Sequence, residues 1–214
     1  MKVELVCVTP DAEENIVKIA RVSSSRKDKK ANSAGLLRYL ITNKHWSPFE
    51  HGYMTLEIET SKSIGIQYLR HRSFTFQEFS QRYQDVGVLG EMFEPIELRA
   101  QATDNRQSST EVFDPVCEDG RLASKVVSDT LDVCKTAYNL LLKATVAREC
   151  ARFVLPVATR TKIYMTGSIR SWIHLIQLRD DGHAQLEAQI IAREAKAIFI
   201  EEFPVIADAL TLEV

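Results

Sequence analysis

The chain has 214 residues, with 27 lysines and arginines against 29 aspartates and glutamates, a formal net charge of −2. That balance excludes a general nucleic-acid coat protein, which needs a broad basic excess, so any anion site must be a local cluster of cations. With 45 % hydrophobic and 26 % charged residues the composition is globular, and the chain is long enough to bury one substantial core unaided.

No apolar run reaches the ~18–20 residues that span a bilayer, and Met1-Lys2-Val3-Glu4-Leu5 lacks the apolar stretch of an export signal. The cysteines Cys7, Cys117, Cys134 and Cys150 include no CxxC pair, which argues against a zinc ribbon or a disulfide framework. The expectation is a soluble, cytoplasmic protein.

Val3 to Val8 is apolar and β-prone enough for a first strand. Thr9-Pro10-Asp11 reads as a helix start, with proline at the first helical position, ahead of Ile16, Ile19 and Ala20 at helical spacing. Ser23 to Lys30 is too polar to bury and reads as a surface loop. A second helix starts at Ser33 and carries Leu36, Leu37, Leu40 and Ile41. Gly52 to Thr60 alternates, with Met54, Leu56 and Ile58 on one face, which predicts a half-buried strand. Ser61 caps a short helix that delivers the chain into Arg70-His71-Arg72.

Residues 85–120 lack periodicity and read as a long, partly irregular insertion. Leu122 to Val146 suits a long helix whose apolar positions are Leu122, Val126, Leu131, Cys134, Leu141 and Thr145. Pro156 ends a further helical stretch near Val154. Lys162 to Thr166 reads as a strand, Arg170 to Leu178 as a helix, and His183 to Phe203 as a last long amphipathic helix. Without an internal repeat or a Gly-, Pro- or Ser-rich linker, residues 1–214 read as one mixed α and β domain.

The densest cationic site is Arg70-His71-Arg72. Adjacent like charges repel, so the triplet needs either an anion or solvent around it. A bare triplet of this kind is more often a solvated helix end, favoured by the macrodipole, than an anion site. Its setting is more specific: Gln67 lies one helical turn before Arg70, and Glu78, Ser80 and Arg82 alternate, so extended chain would point them one way. Three further constellations have the same character. His45-Trp46-Ser47-Pro48-Phe49-Glu50-His51 puts two histidines and a carboxylate around a proline turn; Arg148 and Arg152 lie at i and i+4; Arg170 and His174 share a helical face, with Arg179 near its end. Each alone is more often a salt-bridged surface than a ligand site. As metal sites they are poor: no HExxH occurs, and a helix face rich in arginine repels a divalent cation.

Arg70-His71-Arg72 followed after seven residues by Ser80 closely resembles the signature of the flavin-dependent thymidylate synthases. The resemblance extends to Ala20-Arg21-Val22-Ser23, to the His45–His51 turn, to Arg148-Glu149-x-Ala151-Arg152, and to a C-terminal block. That block runs through Thr166-Gly167, Arg170-Ser171-Trp172-x-His174, Leu178-Arg179 and His183-Ala184-Gln185-x-Glu187. Ser168 stands where the family usually carries asparagine.

The resemblance implies an α+β domain with a mixed or antiparallel sheet flanked by long helices. It implies reductive methylation of dUMP to dTMP, with FAD as cofactor and NADPH and methylenetetrahydrofolate as co-substrates. By the same resemblance, FAD contacts fall to Ser23, His45, Ser47, Arg70, His71, Arg72, Glu78, Ser168, Arg170 and His174. dUMP contacts fall to Gln67, Arg70, Glu78, Ser80, Gln81, Arg82, Arg152 and Arg179. Arg179 would act catalytically by favouring negative charge at the uracil N3, and the sites would be shared within a homotetramer. No enzymic nucleophile is expected: Ser80 lacks a partner base, and Cys150, beside Ala151 and Phe153, reads as a packing residue. Two rival readings are a single-stranded nucleic-acid module stacking bases on Phe74, Phe76, Phe79, Tyr83 and Trp172, and a flavin oxidoreductase without folate activity.

Overall fold

The computed structural model describes residues 1–22 and 33–212; the polar run from Ser23, and with it the flavin contact expected of Ser23, lies outside the described residues. In chain order the first elements are β1 (Lys2–Val8), α1 (Ala12–Ala20), α2 (Ser33–Thr42), a 3-10 turn (Ser47–His51), β2 (Tyr53–Ser61), α3 (Lys62–Tyr68) and β3 (Phe74–Glu78). A hairpin of β4 (Arg99–Gln101) and β5 (Ser109–Val112) follows, then α4 (Ala123–Lys143), α5 (Arg148–Ala151), β6 (Arg160–Ser168), α6 (Ile169–Arg179), α7 (Leu186–Glu202) and α8 (Pro204–Ala209). The fold is α+β. Among the described residues no helix is long and apolar enough to cross a membrane.

Within the described residues the chain divides into two compact units, each built from separate stretches. The first comprises Met1, Glu59–Gln67 and Glu78–Lys162; the second comprises Lys2–Ile58, Tyr68–Gln77 and Ile163–Val214. Beyond Met1, the chain leaves one and enters the other within β2, at the end of α3, and within β3 and β6.

The four-stranded sheet has the order β1-β2-β6-β3. Opposed pairs Thr55–Thr166 and Lys62–Thr159 step in opposite directions along β2 and β6, so these strands are antiparallel. The predicted alternation of β2 holds: Met54, Leu56 and Ile58 are fully buried. They meet α6, where Trp172 is fully buried and its indole N–H donates to the Met54 carbonyl at 2.9 Å. Phe74 stands edge-on to Trp172 with ring centroids 4.9 Å apart. Beneath it Gly167 is essential for space, because a Cβ there would lie 2.4 Å from two ring carbons of Phe74.

The end of α2 is a Schellman turn. His45 N–H donates to Leu40 O at 2.8 Å and Lys44 N–H to Ile41 O at 3.0 Å, which places Lys44 in the left-handed position at φ 56°. Glycine usually occupies that position, and an L-residue there costs about 1 kcal/mol.

The first unit has its own small core of Val86, Met92, Tyr138 and Ala151, with Leu141, Leu142 and Val146 packed against it. The β4–β5 hairpin pairs Arg99 with Val112 and Gln101 with Ser109, with a register shift between them.

Several sequence expectations are corrected. Helix α1 starts at Ala12, not Pro10, because Thr9 is committed to β2: its hydroxyl accepts Tyr53 N–H and its N–H donates to Tyr53 O, both at 2.9 Å. The region 85–120 contains the β4–β5 hairpin that periodicity missed. Of the apolar positions assigned to α4, Leu122 is 48 % exposed. The helix instead buries Tyr138, because only its C-terminal half has a core to pack on. Helix α7 begins at Leu186 rather than His183, since Asp181 draws off the preceding backbone donors, its carboxylate accepting His183 N–H at 2.8 Å. Helix α8 had no counterpart in the sequence reading. Cys150 is exposed rather than packed: short α5 turns Ala151 inward and leaves its neighbour outside.

Candidate active site

In the second unit the 3-10 turn, the end of α2 and helix α6 enclose a cavity of about 560 Å³. Its lining includes Lys44, Trp46, Glu50, Ser73, Arg170 and His174. Pro48 starts the turn at a position where its missing N–H is harmless, and Phe49 anchors it in the core. Glu50 is thereby fixed as the hub. One carboxylate oxygen accepts from Arg170 Nη1 at 2.9 Å and the other from the Ser168 hydroxyl at 2.6 Å. Ser168 also caps α6, accepting Ser171 N–H at 3.3 Å. It is buried, and it meets the cavity through Glu50. Arg170 and His174 do share one face of α6, as their spacing predicts. His45, edge-on to Tyr39, and Ser47 are exposed beside the turn.

The Arg70-His71-Arg72 triplet occupies a tight turn in which His71 N–H donates to Tyr68 O at 3.0 Å. Only the middle residue turns inward; Arg70 and Arg72 are exposed. His71 Nε2 accepts the Arg179 Nε–H at 3.0 Å. Burial first, then the nearby charges of Arg179 and His174, push the His71 imidazole down to about 4. The ring is therefore neutral at pH 7, and with Nε2 accepting, its proton sits on Nδ1. The Arg179 guanidinium lies 6.0 Å from the Tyr68 ring centroid. Burial pushes the Tyr68 phenol up, with Arg179 opposing, and its O–H donates to Ala188 O at 2.7 Å. Asp180 pins the end of α6 to α7 through Arg193 at 2.8 Å and Lys196 at 2.7 Å. Burial alone would raise the Asp180 carboxyl, but the hydrogen bonds from Lys196 and Arg193 outweigh it and hold it below the usual range.

The lowered His71 titration, owed first to burial, has a measurable pH consequence. Unfolded His71 takes up its proton near pH 6.5 and the native ring near 4. Between those values the unfolded state binds more protons, so stability falls as pH drops through that window, by up to about 1.4 kcal/mol per pH unit. Urea midpoints of the wild type should fall more steeply from pH 6.5 to 4 than those of His71→Gln. Parallel curves would remove the assignment.

The first unit holds the other predicted residues. Glu78 Oε1 accepts from Lys62 Nζ at 2.7 Å and from the Thr161 hydroxyl at 2.8 Å. Arg82 pairs with Glu149 at 3.0 Å, and Arg152 lies over Phe153 at 5.8 Å. Gln81 carries a buried side-chain nitrogen without a hydrogen-bond partner among the described residues. Gln67 is half-buried at the end of α3. The expectation that Glu78, Ser80 and Arg82 alternate along one strand is corrected: β3 ends at Glu78, and the Ser80 carbonyl accepts Tyr83 and Gln84 N–H in a turn. Sequence reasoning also left out Lys44, Trp46 and Ser73 as cavity residues and gave Glu50 no ligand role. The only signal for Glu50 was its place in the histidine turn.

Arginine, lysine, histidine and tryptophan around one cavity are the side-chain types suited to phosphate oxygens and planar rings. Comparison with known proteins is more specific. Residues 4–205 match the family described as thymidylate synthase complementing protein. A probable flavin-dependent thymidylate synthase of Paramecium bursaria Chlorella virus 1 is 46 % identical over 93 % of this chain and 90 % of its own length. The flavin-dependent thymidylate synthase of Synechocystis is 41 % identical over 89 % of this chain and 86 % of its own. A crystal structure of the UMP/dUMP methylase PolB of Streptomyces cacaoi, bound with 5-Br dUMP, superposes with a TM-score of 0.82 at 30 % identity, covering 98 % and 94 % of the two chains. The chain belongs to the flavin-dependent thymidylate synthase family.

Proposed function

We propose that this chain converts dUMP to dTMP by reductive methylation, with FAD as cofactor and methylenetetrahydrofolate and NADPH as co-substrates. We read it as a cytoplasmic homotetramer in which the whole chain serves as one synthase domain. The observation that carries the reading is the Arg179–His71 pair, within the charge environment of His174 on the cavity wall.

The cavity residues suit a flavin dinucleotide in kind: Arg170 and His174 offer donors to a pyrophosphate, and Trp46 offers a planar surface to a ring. Arg70, His71 and Arg72 would hold the same cofactor from the neighbouring turn, with Glu78, Ser47 and His45 as further contacts. Bound FAD supplies the hydride chemistry. The chain's own part is to orient and polarise.

For dUMP, Arg82 and Arg152 suit the 5′-phosphate by forked pairing, with Gln67, Ser80 and Gln81 on the nucleoside. Gln81 brings a buried nitrogen still seeking an acceptor. Arg82 must exchange its Glu149 partner for phosphate, a charge-for-charge swap on an exposed side chain. Arg179 against the uracil stabilises negative charge at N3, which makes the pyrimidine carbon more nucleophilic. Neutral His71 is an acceptor for Arg179 and adds no competing positive charge.

The test is tritium release from [5-³H]dUMP with FAD, NADPH and methylenetetrahydrofolate supplied together and omitted singly. The purified protein should be yellow, and once its flavin has been stripped, release and dTMP formation are expected to need all three. A yellow protein that oxidises NADPH without making dTMP would instead be a folate-independent oxidoreductase.

A further inference from the structure

Helix α2 ends with a lysine in a backbone position that favours glycine, and that lysine lines the cavity. A strained residue kept at a site edge asks what its side chain does. One answer is local: a cation at the negative end of the α2 dipole. The charge pattern of the cavity favours another. Arg170 is paired with Glu50, so these two largely neutralise each other. Lys44 has no carboxylate partner among the described residues. The ionised lining groups Lys44, Arg170 and Glu50 therefore leave one net positive charge, and Lys44 is its source.

We propose that Lys44 is a phosphate-binding residue of this cavity, beyond the arginines and histidines that the family pattern assigns. The inference rests on reading the cavity as a nucleotide-cofactor site. A lysine ammonium is a compact point charge with three donors, suited to phosphate oxygens rather than to a ring edge. The Schellman turn fixes its root while the four-carbon stem keeps reach. Two sources offer that phosphate: the pyrophosphate of FAD and the 2′-phosphate of NADPH.

The experiment compares wild type, Lys44→Gly and Lys44→Arg. Apo-protein melting, FAD affinity by flavin fluorescence with riboflavin as the phosphate-free control, and the NADPH-over-NADH preference in kcat/KM are measured. Lys44→Gly should melt no lower than wild type, because glycine relieves the left-handed strain. If the pyrophosphate is the partner, FAD binding weakens about tenfold while riboflavin binding is unchanged. If the 2′-phosphate is the partner, FAD affinity holds and the preference for NADPH falls about tenfold. In either case Lys44→Arg stays close to wild type.

Unchanged FAD affinity together with unchanged cofactor preference overturns the proposal. So does equal weakening of riboflavin, and so does a lower melting temperature with intact binding, the result the dipole reading demands. Calorimetry with inorganic pyrophosphate separates this proposal from the flavin reading. Should wild type take no FAD yet bind pyrophosphate, and Lys44→Gly bind none, the flavin reading falls and the Lys44 assignment stands. Should wild type bind neither, both fall.

Discussion

Arg179→Ala is expected to lower dTMP formation by about 10²–10³-fold, the usual loss when a preorganised donor at a developing negative charge is removed. The structure gives reasons for that size. The guanidinium is held on two sides, by His71 Nε2 at 3.0 Å and by the Tyr68 face, so it needs little reorganisation when charge builds at the pyrimidine. Arg179→Lys keeps the charge but loses the planar fork and the His71 geometry, and should recover only part of the rate. Removal of the guanidinium also takes away one of the charges that depress His71, so the imidazole should titrate closer to its ordinary value in Arg179→Ala. Tritium release reports the rate, and histidine NMR reports the titration. A rate within threefold of wild type would remove Arg179 from the chemistry; a lost rate with an unmoved His71 would break the link between the two residues.

The second large effect concerns stability. Gly167→Ala should destabilise the protein by about 1–3 kcal/mol or more, as overpacking of a tight core does, which for a chain of this size is roughly 2–4 °C of Tm per kcal/mol. The new methyl would fall 2.4 Å from Phe74, a ring 7 % exposed and braced edge-on by Trp172. The ring has nowhere to yield. Because Phe74 also stands edge-on to His71, with centroids 6.2 Å apart, the strain should reach the triplet turn and weaken flavin retention. Phe74→Leu combined with Gly167→Ala should recover a good part of the loss, a non-additivity that denaturant unfolding can measure. Full additivity of the two changes would mean the clash is relieved elsewhere.

What the sequence disclosed was mostly local. The alternation of Met54, Leu56 and Ile58 located β2, and the i, i+4 spacing of Arg170 and His174 placed both on one face of α6. Failures came where distant or competing partners decide. Glu50 and Arg170 lie 120 positions apart, so nothing nearby announced that the histidine turn and α6 share a carboxylate. The strand drawn through Ser80 and Arg82 gave way to a turn because the Ser80 carbonyl collects two backbone donors. The expected buried stripe of α4 failed at Leu122, 48 % exposed, because an apolar side chain looks core-like until one knows which half of the helix has a neighbour. Lys44 was invisible for another reason: lysine is commonplace in a surface turn, and only its left-handed backbone sets it apart.

The interleaving of the two units also bears on how the molecule tolerates manipulation. Since the chain changes unit within β2, at the end of α3, and within β3 and β6, no single cleavage of the gene yields either half as a contiguous fragment, and split-reporter schemes that divide the polypeptide once should give two unfoldable pieces. The tip joining β4 to β5, by contrast, begins and ends inside one excursion. A fluorescent module spliced in there interrupts no strand shared by both halves.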